Sequence, residues 1–122
     1  MSYNISYMAD DNLVFTEVTG VFNKREALKF FKKSLETARE NNCKRILFDT
    51  FNAVLTEYAL GFVEIAKALP GLGYDNTFKI AIIHPATELD NAKLFLSTTK
   101  NAGLNIFMSS VIANARKWIN EQ

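Results

Sequence analysis

One cysteine, one histidine, two prolines and five glycines are spread over the 122 residues of this chain. Each scarcity excludes something. The lone Cys43 can form no intrachain disulfide, and with His84 as the only histidine there is no zinc-ligand spacing. The carboxylates are scattered rather than arranged as a calcium loop, so no metal site is expected. No G-x-G-x-x-G or P-loop follows any strand, and Gly71 and Gly73 follow a helix, which argues against a nucleotide; no cofactor is expected. With 14 Lys and Arg against 13 Asp and Glu, the chain has no general attraction for nucleic acid. No apolar run approaches the ~18 residues of a membrane span, so stable membrane insertion is not expected. The opening MSYNISYMADDN lacks the basic and long apolar parts of a signal peptide, which makes the cytoplasm the expected location.

The chain does have core-forming material. Hydrophobic residues make up 48% and charged residues 22%, a globular composition. Phe occurs ten times, against four Tyr and one Trp. The length suits one domain covering residues 1–122.

Periodicity supplies the elements. Tyr3 to Met8 and Leu13 to Val18 alternate polar and apolar residues about a turn at Ala9 to Asn12, a β-hairpin pattern. Asn23 and Glu26 form a capping box for helix 1, which runs to about Asn41 with Leu28, Phe31, Leu35 and Ala38 as its buried stripe. Arg45 to Asp49 and Phe78 to Ile83 are short apolar runs of the kind found in buried parallel strands. Helix 2 is expected from Thr56, as its cap, to Leu69, where Pro70-Gly71 stops it. Thr87 and Asp90 are expected to cap helix 3, which ends at Gly103, and Ser109 or Ser110 to cap helix 4 after the strand Leu104 to Met108.

The order β-β-α-β-α-β-α-β-α predicts an α/β fold with a mostly parallel sheet and an antiparallel N-terminal strand. Ligands and partners of such sheets favour the carboxyl ends of the strands. Asp49, His84 and Ser109 or Ser110 collect there, the residue types of a hydrolase triad, but without a glycine-flanked nucleophile elbow. Cys43 precedes its strand and His84 ends another, a separation of ~15 Å by strand length, so they form no dyad. Helix 2 is apolar nearly all round. Tyr58, Leu60, Ile65 and Leu72 need cover from a partner, a ligand or the chain's own loops. Arg25, Lys29 and Lys32 on helix 1 form a basic face, either a solvated surface or a docking surface for an acidic partner.

The run Val18-Thr19-Gly20-Val21-Phe22-Asn23, the strands Arg45 to Asp49 and Lys79 to Ile83, and the ending Gly103 to Phe107 with Ala115 and Trp118 resemble the SpoIIAA-like proteins. These belong to the STAS group of sulfate transporters and anti-sigma factor antagonists, and the likeness spans Leu13 to Ile119. It implies a non-enzymatic regulatory module that binds another protein or, in some relatives, a small apolar molecule or lipid. The family's switch segment reads Asp-Ser-Ser-Gly-Leu-Gly, and this chain has Thr56-Glu57-Tyr58-Ala59-Leu60-Gly61 in its place. Leu60-Gly61 is kept, but the phosphorylatable serine is gone. Glu57 places one negative charge where a phosphate would bring about two. The expected partner surface is Asp49, Thr50, Thr56, Glu57, Tyr58, Phe62 and Ile65, touching another protein or a second copy in a homo-oligomer. An apolar-ligand carrier is the alternative, and it would need a pocket of ~300 Å³ or more.

Overall fold

The computed structural model describes residues 1–121. The strands are β1 (Ser2–Met8), β2 (Leu13–Phe22), β3 (Arg45–Leu55), β4 (Lys79–Ile83) and β5 (Asn105–Ser109). The helices are α1 (Lys24–Glu40), α2 (Ala59–Leu72), α3 (Leu89–Asn101) and α4 (Ile112–Asn120), with a short 3₁₀ turn at Ala86–Glu88 before α3. The sheet order is β1-β2-β3-β4-β5, with β1 antiparallel to β2 and every other pair parallel. The expected α/β order and the antiparallel first strand are both present.

Sequential parallel strands joined by right-handed crossovers put their connecting helices on one side of the sheet. Accordingly α1, α2 and α3 cover one face, packed on Val14, Val18, Ile46, Phe48, Ile80, Ile82 and Ile106. The short α4 covers part of the other face, where Ala115 and Ile119 meet Leu13, Leu47, Ala81 and Ile83. The period-2 alternation of each strand supplies both cores, because successive side chains point to opposite faces. Phe30, Phe31, Phe48 and Phe95 stack into the larger core with ring centroids 4.7 to 6.2 Å apart.

Helix α2 is the middle member of the three-helix layer, touching α1 on one side and α3 on the other. That position accounts for a helix apolar nearly all round: its flanks are covered by neighbours, and Glu64 and Lys67 remain on the outer side. Its buried stripe is Gly61, Ile65, Ala66 and Leu69, whereas Tyr58 and Leu60, two of the residues expected to need cover, are exposed. The expected limits also shift. Residues 50–55, expected as loop, extend β3, and Pro70 sits in the last helical turn, where only one backbone bond is lost. The stop is Gly73 at φ 117°, with Tyr74 N–H returning to the Leu69 carbonyl at 3.2 Å, a Schellman closure.

Two expected caps are absent. The N-cap of α3 is Glu88 and that of α4 is Val111, and neither makes a side-chain cap bond. Ser109 Oγ instead accepts the Val111 N–H at 3.0 Å, closing a turn ahead of α4. Asn23 and Glu26 do form the expected capping box of α1.

Candidate functional site at the carboxyl edge of the sheet

Strand β3 outruns β4, whose last residue Ile83 pairs with Asp49. Beyond that point β3 pairs only with β2, after a register shift between Glu17↔Asp49 and Thr19↔Asn52 that gives β3 one extra residue. Two side chains support this bulge. Asp49 Oδ1 accepts the Phe51 N–H at 3.1 Å, and Thr50 Oγ1 donates to the Ile83 carbonyl at 2.7 Å. A bulge bends and re-aims a strand, and here it carries the chain toward the start of α2.

Thr56 does not cap α2. Its N–H and its hydroxyl both reach the Phe22 carbonyl, at 2.9 and 3.3 Å, so it extends the contact between β3 and β2. The N-cap is Tyr58, which makes no side-chain cap bond and is 92% exposed. Glu57 lies against Gly61 at the start of α2 and reaches across to α1, where its carboxylate accepts the Lys24 N–H at 3.0 Å. The free amides and dipole of the α1 N-terminus favour a negative group at that point. A second link runs from Lys24 Nζ to Glu64 at 2.7 Å, and the bonded Glu64 carboxylate holds this ammonium above its ordinary range.

Several apolar side chains stay in solvent along this edge. Phe51, Val54, Tyr58 and Leu60 are exposed on β3 and the start of α2, and Val21 is the register partner of Val54. Ile65, expected at the partner surface, lies in the core, because the turn that buries Gly61 brings Ile65 inward as well. Phe62 is half-buried and lines a cavity beneath the three-helix layer. Arg25, Lys29 and Lys32 are all exposed on α1.

The triad geometry fails. Asp49, Ile83 and Ser109 are in register, and Ile83 belongs to the core under α4, so Asp49 and Ser109 hold positions on that face. His84 comes one residue later and lines the cavity on the opposite, three-helix face. Its Nδ1 bonds the Pro85 carbonyl at 2.8 Å. The sheet therefore separates the imidazole from Asp49 and Ser109, and with Asp49 on the far face Ser110 cannot complete the set either. Cys43 is fully buried at the other end of β3, its thiol bonded to the Asn12 and Arg45 carbonyls.

Sequence reasoning missed the cavity. It measures ≈ 70 Å³ and is walled by Phe22, Phe30, Phe62, Phe95 and Met108, with Thr50, His84 and Glu88 as its polar members. The elements that form it are distant in sequence, and only His84 at the end of an apolar strand hinted at a buried polar group. Its volume is well below the ~300 Å³ that a carrier of a modest ligand requires. Among the described residues no helix is long and apolar enough to cross a membrane.

No family model and no curated protein matches the chain. Solved structures do. The anti-sigma factor antagonist SpoIIAA in its unphosphorylated form superposes with a TM-score of 0.53 at 11% identity, covering 95% of this chain and 96% of that one. The protein TM1081, solved by NMR, gives a TM-score of 0.49 at 16% identity over 98% of this chain and 88% of its own. The element order, the mixed five-stranded sheet and the end-to-end match with SpoIIAA establish that this chain has a SpoIIAA-like fold.

Proposed function

We propose that the protein is a single-domain, non-enzymatic regulatory module of the STAS type that works by binding another protein through the β3–α2 connection. The observation that carries this reading is the exposure of Tyr58 at 92% and Leu60 at 67% where α2 begins. Large apolar groups held in solvent beside a rigid sheet edge are the usual anchors of a protein interface. The fold shared with an anti-sigma factor antagonist supports the reading. So does the position of Asp49 on the face of the sheet opposite His84, which counts against a hydrolase triad with either Ser109 or Ser110.

Regulation by phosphate on this segment is not part of the proposal. Glu57 and Tyr58 stand where the family carries its serines, and the Thr56 hydroxyl is engaged with the Phe22 carbonyl. A carboxylate already bonded to the α1 N-terminus gives the segment a permanent negative group. The partner surface comprises Tyr58 and Leu60 with the neighbouring Phe51 and Val54, and Arg25, Lys29 and Lys32 form a separate basic rim.

The test is affinity capture from the native cell with the wild-type chain and with Tyr58→Asp, alongside light scattering over a range of concentrations. Specific proteins retained by the wild type and lost with Tyr58→Asp are expected. A concentration-dependent dimer abolished by the same substitution would make the partner a second copy. Equal capture by both chains, with a monomer throughout, would overturn the proposal.

A further inference from the structure

The sheet ends on one side at β1, and the outer edge of this strand is open. From Ser2 to Tyr7 the backbone bonds only to β2, and among the described residues nothing pairs with the N–H and C=O groups that point away from it. Soluble proteins blunt such edges with a charge, a proline, a bulge or a very short strand. β1 has none of these: its seven residues, SYNISYM, carry no charge and no proline, and their register with β2 is unbroken. The opposite edge differs, since β5 has five residues and packs against both α3 and α4. Tyr3, Ile5 and Tyr7 lie on the helix face of β1, half-buried against the larger core. Alternation puts Asn4 and Ser6 on the other face.

A row of outward backbone groups is satisfied in full only by another strand. We propose that the occupant is the β1 strand of a second copy, paired antiparallel about a two-fold axis through Ile5 so that one sheet runs across both copies. This register overlaps all seven residues of the strand: Ser2 meets the partner's Met8, Tyr3 the partner's Tyr7, Asn4 the partner's Ser6, and Ile5 its own counterpart. It forms roughly six to eight N–H···O bonds, two from each facing pair of outward residues. It also brings the half-buried Tyr and Ile side chains together across the new strand pair. Charge favours a second copy over an unrelated strand. The pairing lays the two α1 helices on the same face of the sheet, running in opposite directions. Because α1 covers β1 and β2, and strands lie ~4.8 Å apart, the helices come within roughly 10–13 Å, a gap that long side chains bridge. Lys33 Nζ, 5.8 Å from the Tyr3 ring centroid, marks the flank of α1 above β1. Along that flank the exposed Lys29 and Lys33 are followed by the exposed Glu36 and Glu40, a stripe at helical spacing. In the antiparallel arrangement each basic half faces the partner's acidic half, whereas a parallel one would set like against like. The net charge of +1 gives two copies no long-range repulsion. The contact is independent of the β3–α2 surface, because α1 lies between β1 and α2.

Sedimentation equilibrium of the full chain from about 1 μM to about 1 mM spans the affinities of a contact of this size. A monomer–dimer equilibrium is expected, unchanged by Tyr58→Asp. Asn4→Lys combined with Ser6→Lys sets like charges opposite each other across the two-fold axis, and is expected to weaken the dimer at least about tenfold. Asn4→Lys combined with Ser6→Glu sets opposite charges there and is expected to restore it. Amide hydrogen exchange on the unaltered protein locates the contact: the outward N–H groups of β1 are expected to slow as concentration rises through the dimer range. A monomer at the top of the range, or a dimer lost with Tyr58→Asp, would overturn the proposal. So would equal dimers from the Lys-Lys and Lys-Glu chains, or a dimer whose outward β1 amides exchange as fast as in the monomer. The exchange measurement needs no variant, so it decides the matter even if a substituted chain fails to fold.

Discussion

The Glu57 carboxylate accepts the Lys24 backbone N–H at 3.0 Å, so a residue from the approach to α2 closes the first turn of α1. The bond is charge-assisted and sits at the positive end of a 17-residue helix. Glu57→Ala removes both the acceptor and the charge, and is expected to lower unfolding free energy by about 1 kcal/mol in urea titration. Glu57→Gln retains an acceptor and should lose roughly half as much. Equal losses for the two variants would show that the charge contributes nothing.

Gly61 presents the opposite of ordinary helix propensity. Glycine to alanine in a helix normally gains up to about 1 kcal/mol, but a Cβ at Gly61 would lie 2.2 Å from Glu57 Cβ and 2.8 Å from Glu57 Cγ. The nearer atom is tied to the backbone and cannot swing aside. Gly61→Ala is therefore expected to destabilise the fold by about 1–3 kcal/mol, the range for overpacking. The same change in a Glu57→Gly background removes the colliding Cβ and should be neutral or stabilising, a reversal that thermal melts of the four chains would reveal.

These two residues show what a sequence can and cannot convey. Gly61 is legible as a glycine near a helix start, but the reason for it, the Glu57 side chain four residues back lying where its Cβ would be, depends on the course the chain takes into α2. The strand order of types, the antiparallel β1 and the α1 capping box were all legible, because alternation and caps are local. The end of β3 was not: Asp49 read as the last strand residue, yet it and Thr50 support a bulge beyond which β3 continues beside β2, far away in sequence. The triad suggestion failed for a related reason. Topology gathers strand ends at one edge, whereas the face each side chain takes depends on register, and His84 is one residue out of phase with Asp49 and Ser109.

Thr16 and Ser34 are both fully buried, with their hydroxyl oxygens 2.6 Å apart. Ser34 donates to the Phe30 carbonyl at 2.8 Å, so it is Thr16 that donates to Ser34. The pair should be asymmetric. Ser34→Ala strands the Thr16 hydroxyl in the core and is expected to cost about 1–3 kcal/mol, while Thr16→Val leaves Ser34 bonded and costs less, about 0.5–1.5 kcal/mol. The double variant should recover about 1 kcal/mol relative to the sum of the two. Additive losses in chemical denaturation would mean that the two hydroxyls do not interact.

Tyr74 makes the strongest link between pH and folding. Its ring packs edge-on against Phe31 and Phe78, and its hydroxyl donates to the Phe31 carbonyl. Burial pushes the phenol far above its ordinary range, against a small opposing effect of the Arg39 charge. A folded-state pKa raised above the unfolded one means that the native state holds the proton more tightly. Stability is then fully present below the unfolded value of about 10 and is lost progressively as pH rises above it. Tyr74→Phe is expected to cost about 1 kcal/mol at neutral pH through the missing hydrogen bond. It should also flatten the fall in stability on the alkaline side, so that the wild-type and variant curves converge as pH climbs past about 10. Parallel curves in urea titrations across that range would place the alkaline transition on another group.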